Sequence, residues 1–315
     1  MISRITALWQ LCILYGLVLA IGTSGAYVPL ISTINRWFVK KRSLMTGICS
    51  AGSGVGTMII PPITSRLISA FGWRQSSMIV GLAALLLIGV IAQLLKRDPS
   101  KLKSSHHVTD QIEEITVKDP SSSFSLGKAV RTPQFWILVT AYFGFGFCLQ
   151  AVMVHIVPYA ITLGNPLTKA AIIIAIIGGA SIIGRITIGA AADRIGNKQV
   201  TIVSFILMTL SVCLLLFSKR IEMFYLFAII FGFGYGGLVT MSSLLVADLF
   251  GLRNHGLIFG VVAFTITFGG GVGPLMAGYI FDLSNSYYLL LFILLAVSAA
   301  ASVLISLLKS KKSLI

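Results

Sequence analysis

Apolar runs of roughly bilayer length, separated by short polar stretches, dominate this chain. Nine runs stand out, at residues 8–34, 43–68, 74–95, 133–160, 169–190, 199–217, 222–248, 256–281 and 286–308. A helix that crosses a bilayer needs roughly 20 mostly apolar residues. Within each run the apolar residues are continuous instead of alternating, which argues against barrel strands, and backbone groups in lipid must be satisfied inside their own segment. The pattern predicts an all-α polytopic membrane protein with nine transmembrane helices. It stops between Lys96 and Thr132, where the chain turns polar, with Asp119-Pro120, serines at 121–123 and no apolar periodicity. That stretch reads as a linker. The expected organisation is therefore 1–95 with three spans, a linker at 96–132, 133–308 with six spans, and a basic tail at 309–315.

Composition agrees with this reading: 57% of residues are apolar or aromatic, 10% are charged, and the mean hydropathy is +0.96. A net charge of +15 raises the question of nucleic acid. A nucleic-acid reader gathers its basic residues on one soluble face with interleaved aromatics, whereas here they fall between the spans. If the turns after the odd-numbered spans share one side, that side holds 17 of the 24 lysines and arginines, the other holds 6, and Arg185 is left over inside a span. By the positive-inside rule the N-terminus is outside and the C-terminus cytoplasmic, in a plasma or inner cell membrane. The partner implied by the charge is the lipid bilayer, not nucleic acid. The cysteines Cys12, Cys49, Cys148 and Cys213 lie singly in four spans, and His106 and His107 sit in the linker without further ligand types nearby. Neither set has metal-ligand spacing, so no metal or cofactor is expected. The spans contain no nucleophile and base pair and no phosphate loop, so no enzyme is expected either.

The chain matches itself at an offset of 212, pairing Gly22 with Gly234, Gly25 with Gly237 and Phe38 with Phe250. The offset then becomes 213, pairing Leu44 with Leu257, Gly47 with Gly260, Gly56 with Gly269 and Pro61 with Pro274. Glycine and proline recurring in register within apolar helices point to a duplicated three-helix unit. Six spans follow the linker and three precede it. On a plan of two six-helix halves, the first three helices are expected to be missing.

Arg185 is the one charge placed deep in a span. It lies eight residues before Asp193, about 12 Å of helix from the nearest turn. A charge there is costly unless it faces a wet cavity or a partner. At helical spacing Gly178, Ser181, Arg185, Gly189 and Ala192 share one small, partly polar face. A planar guanidinium can take a carboxylate in two parallel hydrogen bonds; snorkelling or pairing with backbone carbonyls is the other reading. His155 near the end of the fourth span is either a proton or anion contact or a helix-end cap. Gln150, Tyr142, Tyr27 and Tyr235 are candidate polar wall residues. Gln150 lies about 140° around the helix from His155, so the two cannot both face one cavity centre.

The turn after the fifth span, Gly189-Ala-Ala-Ala-Asp193-Arg194-Ile-Gly196-Asn-Lys198, resembles the loop signature of the major facilitator superfamily. Its physical sense is plain. Gly189 allows close helix contact, Asp193 can pair with a base or a helix N-terminus, and Gly196 with Lys198 makes a tight basic turn. Further strings resemble that superfamily's monocarboxylate-transporter branch, which includes oxalate:formate antiporters: Asn35-Arg-Trp-Phe-Val-Lys-Lys-Arg42, the glycine-rich stretch 47–56, Gly72-Trp-Arg74 and His155-Ile-Val-Pro158. The resemblance implies helices four to twelve of a 6+6 fold and a secondary transporter of small organic anions working by alternating access. It also implies that Arg185, four residues before Gly189, contacts the substrate carboxylate. A coupling proton or counter-anion would be the remaining partner. Two departures matter. Mammalian-type members place an aspartate four residues before the arginine, where this chain has Ser181, and oxalate exchangers place a lysine in the penultimate helix, where residues 256–308 hold no lysine or arginine. One fixed positive charge suits a monoanion better than a dianion, unless the missing first helix supplies another.

Overall fold

The structure, a computed structural model, describes residues 7–38, 41–94 and 124–308; the central part of the linker, with His106 and His107, and the tail at 309–315 lie outside the described residues. All elements among the described residues are helical. Eight segments are long and apolar enough to cross a membrane: Arg42–Ile60, Arg66–Gln93, Pro133–Thr162, Leu167–Ile195, Asn197–Leu216, Ile221–Phe250, His255–Ser284 and Tyr288–Ser306. The remaining expected run, 8–34, is also helical, but in three pieces: α1 (Leu8–Ile13), a π-helical turn (Leu14–Leu19) and α2 (Ala20–Trp37). No single piece meets both conditions. Pro29 inside α2 removes one backbone hydrogen bond, and a π-turn interrupts the regular ladder upstream of it.

The second and third expected spans form one stretch, α3 (Arg42–Leu94), bent at Gly72, whose φ of 73° and ψ of 163° leave the helical region. Glycine adopts that conformation without the Cβ clash other residues meet, so the Gly72-Trp73-Arg74 string marks the junction. Within the expected linker, Leu126–Val130 forms a short helix, α4, started by the Ser125 side chain accepting from the Lys128 N–H. Phe124 ahead of it donates its N–H to Phe250 O at 3.1 Å and accepts from Asn254 Nδ2 at 3.0 Å. This end of the linker is thus tied to the turn between two later helices. The six helices that follow are α5 (Pro133–Thr162), α6 (Leu167–Ile195), α7 (Asn197–Leu216), α8 (Ile221–Phe250), α9 (His255–Ser284) and α10 (Tyr288–Ser306). Pro133 opens α5 at a position where a missing N–H is harmless.

Helix α6 sits between α3 on one side and α8 on the other, α9 packs along α5, and α10 lies against α7 and α5. Small residues make these approaches possible. A Cβ on Gly236 of α8 would overlap the Ser181 carbonyl oxygen of α6, and one on Gly47 of α3 would overlap the Arg185 carbonyl oxygen. A Cβ on Gly189 of α6 would stand 2.7 Å from Ser43 O of α3. Backbones that touch in this way gain dispersion contacts and hold side chains from three helices within reach of one point.

The loop motif clamps the end of this sandwich. Asp193 Oδ1 accepts from the Ser43 N–H and Oδ2 from the Leu44 N–H, both at 3.1 Å. Those are first-turn donors of α3 that have no partner within their own helix, and a carboxylate is favoured at that dipole end. Ser43 Oγ donates to Asn197 Oδ1 at 2.9 Å, and Asn197 Nδ2 donates to Asp248 Oδ2 at 2.7 Å. Gly196 turns the chain at a φ of 95°. Lys198 Nζ donates to Leu308 O, while the Arg194 side chain is exposed.

Two stability measurements check these seams. Gly236→Ala should destabilise the detergent-solubilised protein by about 1–3 kcal/mol through overpacking. Gly178→Ala, on the same α6 face but with nothing within 4 Å of the added carbon, should be neutral or stabilising by up to about 1 kcal/mol. Equal melting curves for the two variants would contradict the packing described. Asp193→Ala, which strands the Ser43 and Leu44 donors, should lower thermal stability by about 1 kcal/mol.

Candidate functional site

Arg185 lies about two thirds of the way along α6, where α3 and α8 converge, and it is 2% exposed. Its Nη1 donates to Ser50 O and Ser53 Oγ of α3, and its Nη2 donates to Tyr235 OH of α8 at 2.8 Å. The guanidinium also stands 5.3 Å from the Tyr235 ring centroid. These partners are all neutral, so they hold the cation without cancelling its charge. Nε is buried and has no hydrogen-bond partner among the described residues. A guanidinium carries five N–H donors in a fixed plane, and three of them are used here. Two parallel N–H donors on one edge of a guanidinium form a fork whose geometry matches a carboxylate.

The other expected wall residues divide into two groups. Tyr235 is in direct contact, and Tyr27 lies within electrostatic reach of both Arg185 and Tyr235. Tyr142 is fully buried, donates to Leu238 O at 3.3 Å and is in electrostatic reach of Tyr27. Ser181 is buried one helical turn from Arg185, with its hydroxyl donating to Gly178 O at 2.8 Å. It shapes the α6 seam, and its donor is already engaged.

His155 and Gln150 stand elsewhere. His155 is 13 residues along α5 from Tyr142, about 20 Å of helix. Its Nε2 lies 3.1 Å from Pro274 O, which can only accept, so that nitrogen carries the proton; Nδ1 lies 3.3 Å from Tyr287 OH. The ring therefore ties α5 to α9 and to the turn before α10. Beside it Tyr159 is 4% exposed, its hydroxyl without a hydrogen-bond partner among the described residues, in a small apolar cavity floored by Leu215, Leu290 and Leu294. Outside the spans, burial and nearby Asp282 push the Tyr287 hydroxyl's pKa up. Gln150 is exposed, its Cγ against Gly270 of α9.

Ser50 and Ser53, which hold Nη1, escaped the sequence reading. Their signal was available: two hydroxyls three residues apart inside the glycine-rich stretch 47–56, hence on one face. Buried His255 was missed as well. Its Nε2 donates to Ser243 O at 3.0 Å, its Nδ1 lies 3.1 Å from Ser32 Oγ, and its ring stacks on Phe259. It is 1% exposed, and its place at the start of an apolar run made it read as a loop residue. The cysteines differ in surroundings, with Cys148 buried, Cys213 half-buried and Cys49 exposed. Among the described residues no three His, Cys, Asp or Glu side chains are grouped to hold a metal ion.

Comparison with known proteins places this geometry. The Major Facilitator Superfamily model matches residues 1–190 and 171–313. The chain is 28% identical over 307 residues to monocarboxylate transporter 12 of Rattus norvegicus, covering 90% of this chain and 63% of that protein. It is 30% identical over 289 residues to the oxalate:formate antiporter of Oxalobacter formigenes, covering 88% of this chain and 64% of that one. The chain thus spans about three fifths of the length of the curated relatives it matches. Among solved structures, the transporter FucP in its outward conformation superposes with a TM-score of 0.65 at 18% identity, over 88% of this chain and 70% of that one. A family model covering nearly the whole chain and a fold shared with FucP agree, and the chain belongs to the Major Facilitator Superfamily.

Proposed function

We propose that this chain forms part of a secondary transporter that moves small monocarboxylates across a cell membrane by alternating access, with Arg185 as the carboxylate contact. The observation that carries this reading is a buried arginine held by neutral partners, with its Nε donor unpaired. A carboxylate is the ligand that neutralises such a charge and completes its hydrogen bonds. Tyr235, whose hydroxyl accepts from Nη2, is the aromatic wall residue in direct contact with the guanidinium. The absence of lysine and arginine from 256–308 favours a single carboxylate over two. The names of the relatives, a monocarboxylate transporter and an oxalate:formate antiporter, point to the same substrate class.

In this reading residues 1–95 and 133–308 belong to two bundles that rock about the site, joined by the linker at 96–132. The basic turns and the C-terminus face the cytoplasm, as the charge distribution favours. The close glycine contacts of α6 with α3, which cross between the bundles, provide surfaces smooth enough to slide or part.

Uptake of labelled short-chain monocarboxylates into proteoliposomes tests the assignment. Arg185→Gln should lower uptake roughly ten- to hundredfold, the equivalent of a charge-assisted hydrogen bond or two. Arg185→Lys should recover part of it, since a lysine keeps the charge without the fork. Tyr235→Phe should raise the substrate KM by a smaller factor, about two- to tenfold, because it removes one neutral partner. Melting curves for each variant separate lost binding from lost structure. Unchanged uptake in folded Arg185→Gln would exclude the carboxylate role.

A further inference from the structure

A continuous polar seam runs through the apolar interior where α2 and α3 meet α8 and α9, and His255 stands at its end. Asn35 Nδ2 of α2 donates to Ser243 Oγ of α8 at 2.8 Å, and Thr46 Oγ1 of α3 lies 3.0 Å from Asn35 Oδ1. Farther along, Ser50 Oγ of α3 and Thr240 Oγ1 of α8 are 3.1 Å apart, and Ser50 O receives Arg185. Asn35, Thr46, Ser50, Thr240 and Ser243 are all within 3% of full burial. Such a row of small hydroxyl and amide groups is fully paired while the helices touch, and each group can bond water equally well once they part.

His255 is the titratable member of this row. The carbonyl of Ser243 can only accept, so the proton of the neutral ring sits on Nε2. Nδ1 is then an acceptor, and Ser32 Oγ on α2 donates to it across the seam at 3.1 Å. A second proton would fall on Nδ1 and face that hydroxyl inside an apolar surround that includes the stacked Phe259 ring. Burying a charge against neutral dipoles is unfavourable. The charged residues at this end whose side chains are described, on the elements packed around α9, are Lys128 of α4, Arg131 ahead of α5, Asp248 of α8 and Arg253 in the turn itself. Arg42 of α3 lies beyond Thr46. Four of these five are cations, and the carboxylate of Asp248 already accepts from Asn197. Their sum also opposes a further positive charge.

We propose that His255 is a proton-binding site that couples protonation to the parting of this seam. It stays neutral while α2 lies against α8 and α9, and takes up a proton when separation brings water to Nδ1. Because the open arrangement binds the proton more tightly, acid shifts the population toward opening at this end. The proposal rests on the alternating-access reading and supplies it with a coupling proton that needs no buried carboxylate. The seam also reaches Arg185 through Ser50, so the state of His255 and the occupancy of the anion site act on one interface.

The test uses a cross-link over the seam in a background with the four native cysteines replaced by alanine. A Cβ on Gly256 would stand 3.6 Å from Ser32 Oγ, so Ser32→Cys with Gly256→Cys forms a disulfide only while the seam is closed. Oxidative cross-linking rates are measured from pH 8 to about pH 5.5 with His255 intact and with His255→Gln. Dividing one profile by the other removes the pH dependence of the thiols themselves. The ratio should fall roughly fivefold or more toward acid, the lower end of typical coupling between two sites. Should His255→Gln fail to insert, His255→Asn, which keeps an amide donor, takes its place. A flat ratio overturns the proposal whether or not the protein carries a carboxylate, because the readout needs no substrate. With Ser32 and Gly256 restored, His255→Gln should also flatten the acid limb of the uptake profile.

Discussion

A guanidinium buried in the middle of an apolar bundle is the constraint on which this structure turns. Left alone at that depth, Arg185 would be among the least favourable groups in the chain. It is tolerated because α3 brings the Ser50 carbonyl and Ser53 hydroxyl to one side of it, and α8 brings the Tyr235 hydroxyl to the other. That requirement explains why glycines cluster where they do. Gly47, Gly189 and Gly236 let three helix backbones close around one side chain, and a bulkier residue at any of them would push the donors and acceptors apart.

The loop motif and the arginine are two parts of one device. Asp193 lies two turns along α6 from Arg185 and binds the first N–H groups of α3. Its pairing sets the height of α3 against α6, and so sets which α3 carbonyl meets the guanidinium. Asn197 and Asp248 extend the same tie to α8. Satisfying the end of a helix and satisfying a buried charge are thus solved by one alignment of three helices.

Two histidines show how surroundings decide what a residue type can do. His155 ties α5 to α9 and the following turn, against Pro274 O and Tyr287 OH. His255 bridges α2 and α8 across the seam that also contains Arg185. The first joins helices adjacent in one bundle, while the second spans the boundary at which the proposed motion occurs. A proton added at the first changes a local contact. Added at the second, in the proposed coupling, it acts on the whole interface.

Much of the fold was legible in the hydrophobic pattern, because lipid leaves the backbone no choice but a helix and the required length is set by bilayer thickness. The break at Gly72, the turn at Gly196, the close contact at Gly189 and the anomaly of Arg185 follow from the same few rules. The 8–34 run was legible as apolar but not as a broken helix, since a π-turn depends on local packing more than on composition. Nor could the pattern separate Tyr235, which touches Arg185, from His155, which lies far along α5: both are polar groups in apolar runs. Ser50 and Ser53 could be read as one polar face but not matched to Arg185, nor His255 to Ser32, because these hydrogen bonds link residues more than a hundred positions apart. The sequence by itself determined that a charge is buried among helices and where along one helix it lies. Only the tertiary structure decided which neighbours share it, because that depends on the rotation and height of each helix against the next, set by glycine contacts and end caps that a one-dimensional pattern does not contain.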